Sequence, residues 1–86
     1  MTVTLRLFAA AREAAGRGHE EYDVSNAPTV DALLTAATTA YGATFGAVLA
    51  RSRVWVNGDE PSDGRATRLA DGDEVAVLPS VSGGIA

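Results

Sequence analysis

The sequence predicts a single α+β domain in which helices pack on one face of a mixed β-sheet. Two observations indicate this arrangement: apolar residues recur with the period of a strand near both ends of the chain, and with the period of a helix between them. The 86 residues, 47% of them hydrophobic, are enough for one hydrophobic core and too few for two domains. We therefore expect one domain over residues 1–80 and a flexible tail over residues 81–86.

A strand and a short helix open the chain. The strand is indicated by apolar residues that alternate with polar ones: Val3, Leu5 and Leu7. The alanine-rich segment 8–15 then favours a helix of about two turns. Gly16 follows it, and glycine readily adopts the left-handed conformation that ends many helices. A second strand is expected at residues 20–24.

A longer amphipathic helix is predicted after Pro28. Thr29 is a suitable cap for its first turn, and Gly42 is a suitable end. Apolar residues recur along this helix at intervals of three and four: Val30, Leu33, Leu34, Ala37 and Tyr41. The same spacing at 45–49 predicts another, shorter helical segment.

The remaining strands are short. Residues 54–56 predict a strand that ends at the turn Asn57-Gly58, and an edge strand is expected at 66–69. A last apolar strand leads to Pro79, which ends strand pairing. Because the first and last strands are the most apolar, we expect them side by side at the centre of the sheet. Trp55 is expected in the core, with a position facing a partner as the alternative.

The charge of the chain argues against several kinds of partner. The net charge is -4, and all seven basic residues are arginines that are spread along the sequence. Nucleic acid and acidic membrane surfaces are therefore not expected partners, whereas a protein with a basic face is favoured. No apolar run is long enough for a signal-peptide core or a membrane span, so the expected compartment is the cytoplasm.

The composition also limits the chemistry of the chain. There is no cysteine, and hence neither a disulfide nor a thiol nucleophile. His19 and the acidic residues near position 72 lack the spacing of a metal site. We expect no metal or cofactor to be bound by the chain itself.

The C-terminal segment has the clearest chemical implication. Gly83 and Gly84 lack Cβ atoms, so this part of the chain can enter a channel that excludes side chains. A pair of glycines near a terminus is weak support by itself, since chain ends are commonly small and disordered. Here, however, a predicted core strand comes immediately before it. The tail is thus expected to leave directly from the core.

Three segments of the chain resemble the small subunit of molybdopterin synthase. They are VTLRLFAAAREAAG at 3–16, VWVNG at 54–58 and LADGDEVAVLPSVSGG at 69–84. That family belongs to the ubiquitin-like, β-grasp sulfur carriers, which also include carriers for thiamine and cysteine synthesis. The Phe-Ala-x-x-Arg-Glu opening is similar to the molybdopterin branch, whereas the Asp-Gly-Asp-Glu-Val turn and the Gly-Gly pair are shared more widely.

The resemblance implies a β-grasp fold and a carrier without a catalytic site of its own. An adenylating, E1-like enzyme would use Mg-ATP to activate the carboxylate of Gly84, and a sulfur donor would displace AMP to leave a thiocarboxylate. The tail would then insert into the large subunit of molybdopterin synthase and deliver sulfur to a pterin precursor. Gly83 would supply backbone freedom, while Pro79, Val81 and Ser82 would set the exit path and contact partners.

The chain departs from the family at its end. In the family the second glycine is the last residue, whereas Ile85 and Ala86 follow it here. We expect a peptidase to remove these two residues, because the free carboxylate otherwise belongs to Ala86. The alternatives are a carrier for cysteine or thiamine synthesis, and a β-grasp interaction module that transfers no group.

Overall fold

The computed structural model describes residues 1–24 and 28–80. Its elements in chain order are strand β1 (Thr2–Leu7), helix α1 (Ala9–Ala15), strand β2 (His19–Asp23), helix α2 (Val30–Tyr41), helix α3 (Ala43–Leu49), strand β3 (Ser52–Val56), a 3-10 turn (Gly64–Ala66) and strand β4 (Glu74–Pro79). Each predicted helix is present, and its bounds differ from the prediction by at most a few residues.

The four strands form one mixed sheet in the order β2-β1-β4-β3. Strands β1 and β4 are parallel, whereas β2 pairs with β1, and β3 with β4, in antiparallel orientation. The first and last strands therefore lie side by side at the centre, as their apolar sequences predicted. A parallel pair needs a long crossover, and the chain between β1 and β4 provides it.

The core lies between the sheet and the helices. Alternate residues of the two central strands face it and are 0–2% exposed: Val3, Leu5, Leu7, Val75 and Val77. The helices contribute a matching set of buried side chains: Ala11, Val30, Leu33, Leu34, Ala37, Phe45, Val48 and Leu49. These residues form one cluster, which places the helices on one face of the sheet and confirms the α+β prediction.

The predicted start of α2 and the predicted end of α1 are both formed by the expected residues. The Thr29 hydroxyl accepts a hydrogen bond from the Ala32 amide at 3.1 Å, which satisfies a donor that the first turn leaves free. Gly16, with φ 79°, ends α1 and donates its N–H to the Arg12 carbonyl at 2.9 Å. Only a residue tolerant of positive φ closes a helix in this way at low cost.

The predicted edge strand at 66–69 is wrong. Residues 64–66 form a 3-10 turn, and Arg68 makes only an isolated β-bridge with Thr29. The backbone of this segment bonds to the start of α2 instead. Val30 donates to the Thr67 carbonyl at 2.9 Å, and Leu69 donates to the Pro28 carbonyl at 2.7 Å. The segment therefore anchors the helix and leaves β3 as an edge of the sheet.

A polar cluster holds the end of α2 against β2. The half-buried Tyr41 donates its hydroxyl proton to the Glu20 carboxylate, and the Tyr22 hydroxyl donates to Tyr41 Oη at 3.4 Å. The Tyr41 ring meets Phe45 edge to face, with centroids 5.1 Å apart. Burial, and after it the bond to Glu20, raises the pKa of Tyr41 well above its usual range. Tyr41 therefore remains a neutral donor in the folded protein.

This cluster predicts a loss of stability in alkaline solution. Above pH about 10 the unfolded chain releases the Tyr41 proton whereas the folded chain retains it, so the free energy of unfolding should fall as the pH rises. Urea unfolding at a series of pH values would measure this fall. Tyr41→Phe should show a shallower fall than the wild-type chain, while Tyr22→Phe, which leaves the bond to Glu20 in place, should retain most of it. Equal slopes in the wild-type and Tyr41→Phe proteins would contradict the prediction.

Candidate functional site

The chain leaves the sheet through its central strand β4. Pro79 is the last residue of this strand, is half-buried and lies opposite Ser52 of β3. Beyond it, the Ser80 amide donates to the Arg51 carbonyl at 3.3 Å. Two fully buried valines earlier in β4 fix the strand in the core. The segment after residue 80 thus starts from a fixed position, as predicted.

The other predicted site residues lie beyond this point. Val81, Ser82, Gly83 and Gly84, together with Ile85 and Ala86, fall outside the described residues. Their assigned roles in sulfur transfer, exit path and partner contact stay predictions. Pro79 is the one predicted site residue within the described part of the chain.

The sheet face opposite the helices, here called the outer face, is accessible. Its residues alternate with the core residues along each strand, and none of those described is buried: Thr2, Thr4, Arg6, His19, Glu21, Asp23, Arg53, Trp55, Glu74, Ala76 and Leu78. Because this face adjoins the end of β4, a partner that approaches this end of the strand can reach it.

An apolar patch lies on the outer face near the end of β4. We call it the outer patch, and it consists of Phe8, Trp55, Ala76 and Leu78. Trp55 is opposite Ala76 in the register of β3 and β4. Phe8 continues β1, donates its N–H to the Val77 carbonyl at 3.3 Å and is 41% exposed. An exposed aromatic beside other apolar side chains is typical of a protein contact surface.

The expected core position of Trp55 is therefore wrong, and the alternative of a partner-facing position fits its place. Its neighbours Val54 and Val56 lie opposite Val77 and Val75 and pack against the core. A strand alternates its faces, so Trp55 must point outward. The three apolar residues in a row concealed this alternation in the sequence.

Arginines border the outer patch on both sides. Arg6 lies beside Ala76 in the parallel register and pairs with Glu74, with Nε and Oε2 2.6 Å apart. Arg53 lies opposite Leu78, is exposed and has no ion-pair partner among residues 1–24 and 28–80. The edge of the patch near β3 is thus positively charged.

At the other end of β4, a polar network sets the position of the strand. Asp73 accepts from the Asn57 amide at 2.9 Å, and Asn57 in turn accepts from the Glu74 N–H at 2.9 Å. Asp71 accepts from the Thr2 N–H at 2.7 Å, which ties the start of β1 to the same turn. The sequence indicated a turn here, but it did not show that the carboxylates of this turn connect the ends of three strands.

The described residues contain neither a metal-binding cluster nor a helix that could span a membrane. Among residues 1–24 and 28–80, no group of three or more His, Cys, Asp or Glu residues is placed to hold a metal ion. In the same part of the chain, no helix combines the length and apolar character that crossing a bilayer requires.

The topology and the central C-terminal strand define a ubiquitin-like β-grasp protein. Helices cover one face of the mixed sheet, and the last strand lies between the first and third strands. The model of the ThiS family matches residues 5–84, and the chain therefore belongs to the ThiS family of ubiquitin-like sulfur carriers.

Solved structures agree with this assignment. Small archaeal modifier protein 1 from Haloferax volcanii is 29% identical, with a TM-score of 0.81 over 95% of this chain and 98% of that one. A Pyrococcus furiosus protein assigned as subunit 1 of molybdopterin-converting factor is 26% identical, with a TM-score of 0.82 over 94% and 99%.

A structure of a complex is more distant. Subunits 1 and 2 of molybdopterin-converting factor from Helicobacter pylori have been solved together, and the matching chain is 21% identical, with a TM-score of 0.68 over 94% of this chain and 96% of that one. At this identity the likeness concerns the fold alone. A comparison with curated proteins found no match.

The position of Trp55 predicts the behaviour of its fluorescence. It is the single tryptophan of the chain and lies on the outer face, so acrylamide should quench its emission efficiently in the folded protein. A matched control places the tryptophan in the core instead, with Trp55→Phe combined with Phe45→Trp, and its emission should be protected. Equal quenching of the two folded proteins would contradict the outward position of Trp55.

Proposed function

We propose that this chain is a sulfur carrier and the small, non-catalytic subunit of molybdopterin synthase. It bears sulfur as a thiocarboxylate on Gly84 for molybdenum cofactor synthesis, after removal of Ile85 and Ala86. The observation that supports this most directly is that the central strand β4 ends at Pro79, next to the accessible outer face and its outer patch. The family match, which covers residues 5–84 and stops before the last two residues, supports Gly84 as the functional end.

The proposed chemistry takes place on the terminal carboxylate of the trimmed chain. A carboxylate oxygen is a poor leaving group, so the carboxylate must first be activated. On the activating enzyme, the Gly84 carboxylate attacks the α-phosphorus of Mg-ATP and displaces pyrophosphate. A hydrosulfide released by the sulfur donor then attacks the acyl carbon, so that a C–S bond forms as the C–O bond to AMP breaks, and the thioacid loses its proton. The product is a nucleophilic thiocarboxylate, which needs no cysteine in the chain.

The chain's own residues present this carboxylate to two proteins. The proposed partners are an E1-like adenylating enzyme and the large subunit of molybdopterin synthase, together with a sulfur donor and a trimming peptidase. Support for the large subunit comes from the Pyrococcus relative assigned as subunit 1 of molybdopterin-converting factor. The outer patch supports this proposal because it offers such a partner an apolar surface near the end of β4. No nucleic acid or membrane is included among the partners.

A carrier for cysteine or thiamine synthesis would use the same tail and the same activation chemistry. Binding to the large subunit of molybdopterin synthase distinguishes these acceptors from a pterin precursor. A β-grasp module that transfers no group would bind partners without any change at Gly84.

Intact mass spectrometry tests the proposal. A variant that ends at Gly84, incubated with the host's adenylating enzyme, Mg-ATP and a sulfur donor, should gain one sulfur in place of one oxygen. The 86-residue chain should not react, because its free carboxylate is that of Ala86. After incubation in host lysate, the same chain should lose Ile85 and Ala86 and become reactive.

The large subunit completes this test. When it and the cyclic pterin precursor are added, the sulfur should leave the carrier and the original mass should return. An unreactive chain ending at Gly84, with a control carrier converted in the same tube, would contradict the proposal. Conversion without binding to the large subunit would favour the cysteine or thiamine acceptors.

A second candidate function is protein modification, and the 29% identical Haloferax volcanii relative favours it. In that case the Gly84 carboxylate would form an amide with an amine of a target protein. Because every basic residue of this chain is an arginine, it offers no lysine to a second copy of itself. Purification of a tagged chain from host cells should then yield targets joined to single copies, and mass spectrometry would locate the bond. Lysine-linked targets would support modification, and their absence alongside thiocarboxylate formation would exclude it.

A further inference from the structure

The charged side chains are distributed unevenly between the two ends of the sheet. We call the end at which β1 and β4 finish the tail end, and it is marked by Leu7 and Pro79. The opposite end, where β4 begins at Glu74, is called the far end. The strand registers place the start of β2 and the start of β3 at the tail end as well.

Most of the eleven acidic residues lie at the far end. A single segment provides six of them: Asp59, Glu60, Asp63, Asp71, Asp73 and Glu74. Two arginines are close to them. Arg65 pairs with Asp31 at 2.7 Å, and Arg68 forms the backbone bridge to Thr29 at the start of α2. The far end therefore has an excess of negative charge.

The other arginines lie at the tail end. They are Arg6, Arg12, Arg17, Arg51 and Arg53, and Arg6 among them is already paired with Glu74 of β4. The acidic residues on this side are Glu13, Glu20 and Glu21, and Glu20 is already bonded to Tyr41 and paired with Arg17 at 3.4 Å. Arg51 and Arg53 are exposed next to the exit of the tail, and neither forms an ion pair within the described residues.

We propose that the arginines of the tail end guide the tail into a protein partner whose channel mouth has an acidic rim beside an apolar surface. This inference rests on the proposed function, because the partner is a protein that accepts the tail. Arg51 and Arg53 face the rim, the outer patch meets the apolar surface, and the acidic far end points away from the contact.

Because dissolved salt screens charges over short distances, a partner in contact with the tail end interacts mainly with the charges at that end. The strand β4 is six residues long, so the far end lies roughly 17 Å from Pro79 at about 3.3 Å per residue. Solvent-exposed charges are screened over about 8 Å at physiological ionic strength. The net charge of -4 favours a basic partner at long range. Within contact distance, however, the arginines of the tail end outweigh the net charge and favour a partner with an acidic surface.

The surroundings favour a protein over a nucleic acid. Arg6 is already neutralised by Glu74 at 2.6 Å, and Glu21 lies on the same outer face, so a phosphate backbone would meet carboxylates as well. Phosphate binding would call for clustered, unpaired basic residues. The exposed Phe8 and the half-buried Leu78 beside Arg53 instead fit an apolar protein surface with a charged rim.

Charge reversal at the two ends provides a matched experiment. Arg53→Glu and Arg68→Glu change the net charge equally, but at opposite ends of the sheet. The chain that ends at Gly84 and its variants are bound to the host's molybdopterin synthase large subunit and adenylating enzyme, and the rate constants are measured by biolayer interferometry from about 20 mM to about 500 mM NaCl.

We expect the association rate constant of the wild-type chain to fall as salt increases. At low salt, Arg53→Glu should lower it about five- to tenfold with little change in the dissociation rate constant, and Arg68→Glu should change it less than about twofold. Arg51→Glu should act in the same direction as Arg53→Glu. Thermal unfolding of each variant checks that the fold is retained.

Other outcomes would overturn the inference. Equal losses for Arg53→Glu and Arg68→Glu would show that only net charge matters, and faster association of Arg53→Glu would indicate a basic rim. Tight binding of a labelled single-stranded oligonucleotide, abolished by Arg53→Glu, would assign the arginines to nucleic acid. If the wild-type chain bound neither protein at any salt concentration, the proposed function itself would fail, and the inference with it.

Discussion

The parallel pairing of β1 with β4 is the interaction on which the rest of the structure depends. It brings the two ends of the domain together at the centre of the sheet, and its inward side chains form the floor of the core. A parallel pair of neighbouring strands requires a long connection, and the helices in this connection pack together on one face of the sheet. The other face remains open beside the point where the chain leaves β4. The fold and the candidate site thus follow from the same pairing.

Local patterns in the sequence predicted most of this fold. The alternation of Val3, Leu5 and Leu7 is that of a strand with one buried face, and the spacing of Val30, Leu33 and Leu34 is helical. Glycines and a threonine cap also marked the helix ends correctly. These signals are reliable because each depends on the conformation of a few adjacent residues, which the surrounding fold then reinforces.

The misassigned features depend on contacts between distant segments. Whether Trp55 faces the core or the solvent is decided by the register of β3 on β4, and three consecutive apolar residues give no indication of it. The segment 66–69 is compatible with a strand, but it bonds to the start of α2 through Thr67 and Leu69. The uneven distribution of charge was hidden for the same reason, since the arginines that meet at the tail end are far apart in sequence. The glycine pair, by contrast, was conspicuous in the sequence and lies beyond the described residues.

The fixed position of Pro79 in the central strand limits how the chain can pass from one binding partner to the next. A tail on a mobile loop could swing from one protein to another while the domain stayed in place, but here the tail begins at a rigid strand end beside one apolar patch. If two proteins each enclosed the chain as far back as Pro79, they would compete for the surface around the end of β4. Their complexes with this chain are then mutually exclusive, so each delivery requires complete release from the previous partner. The rate at which the carrier cycles would be limited by dissociation, and moderate affinity for every partner would serve it better than tight binding to one.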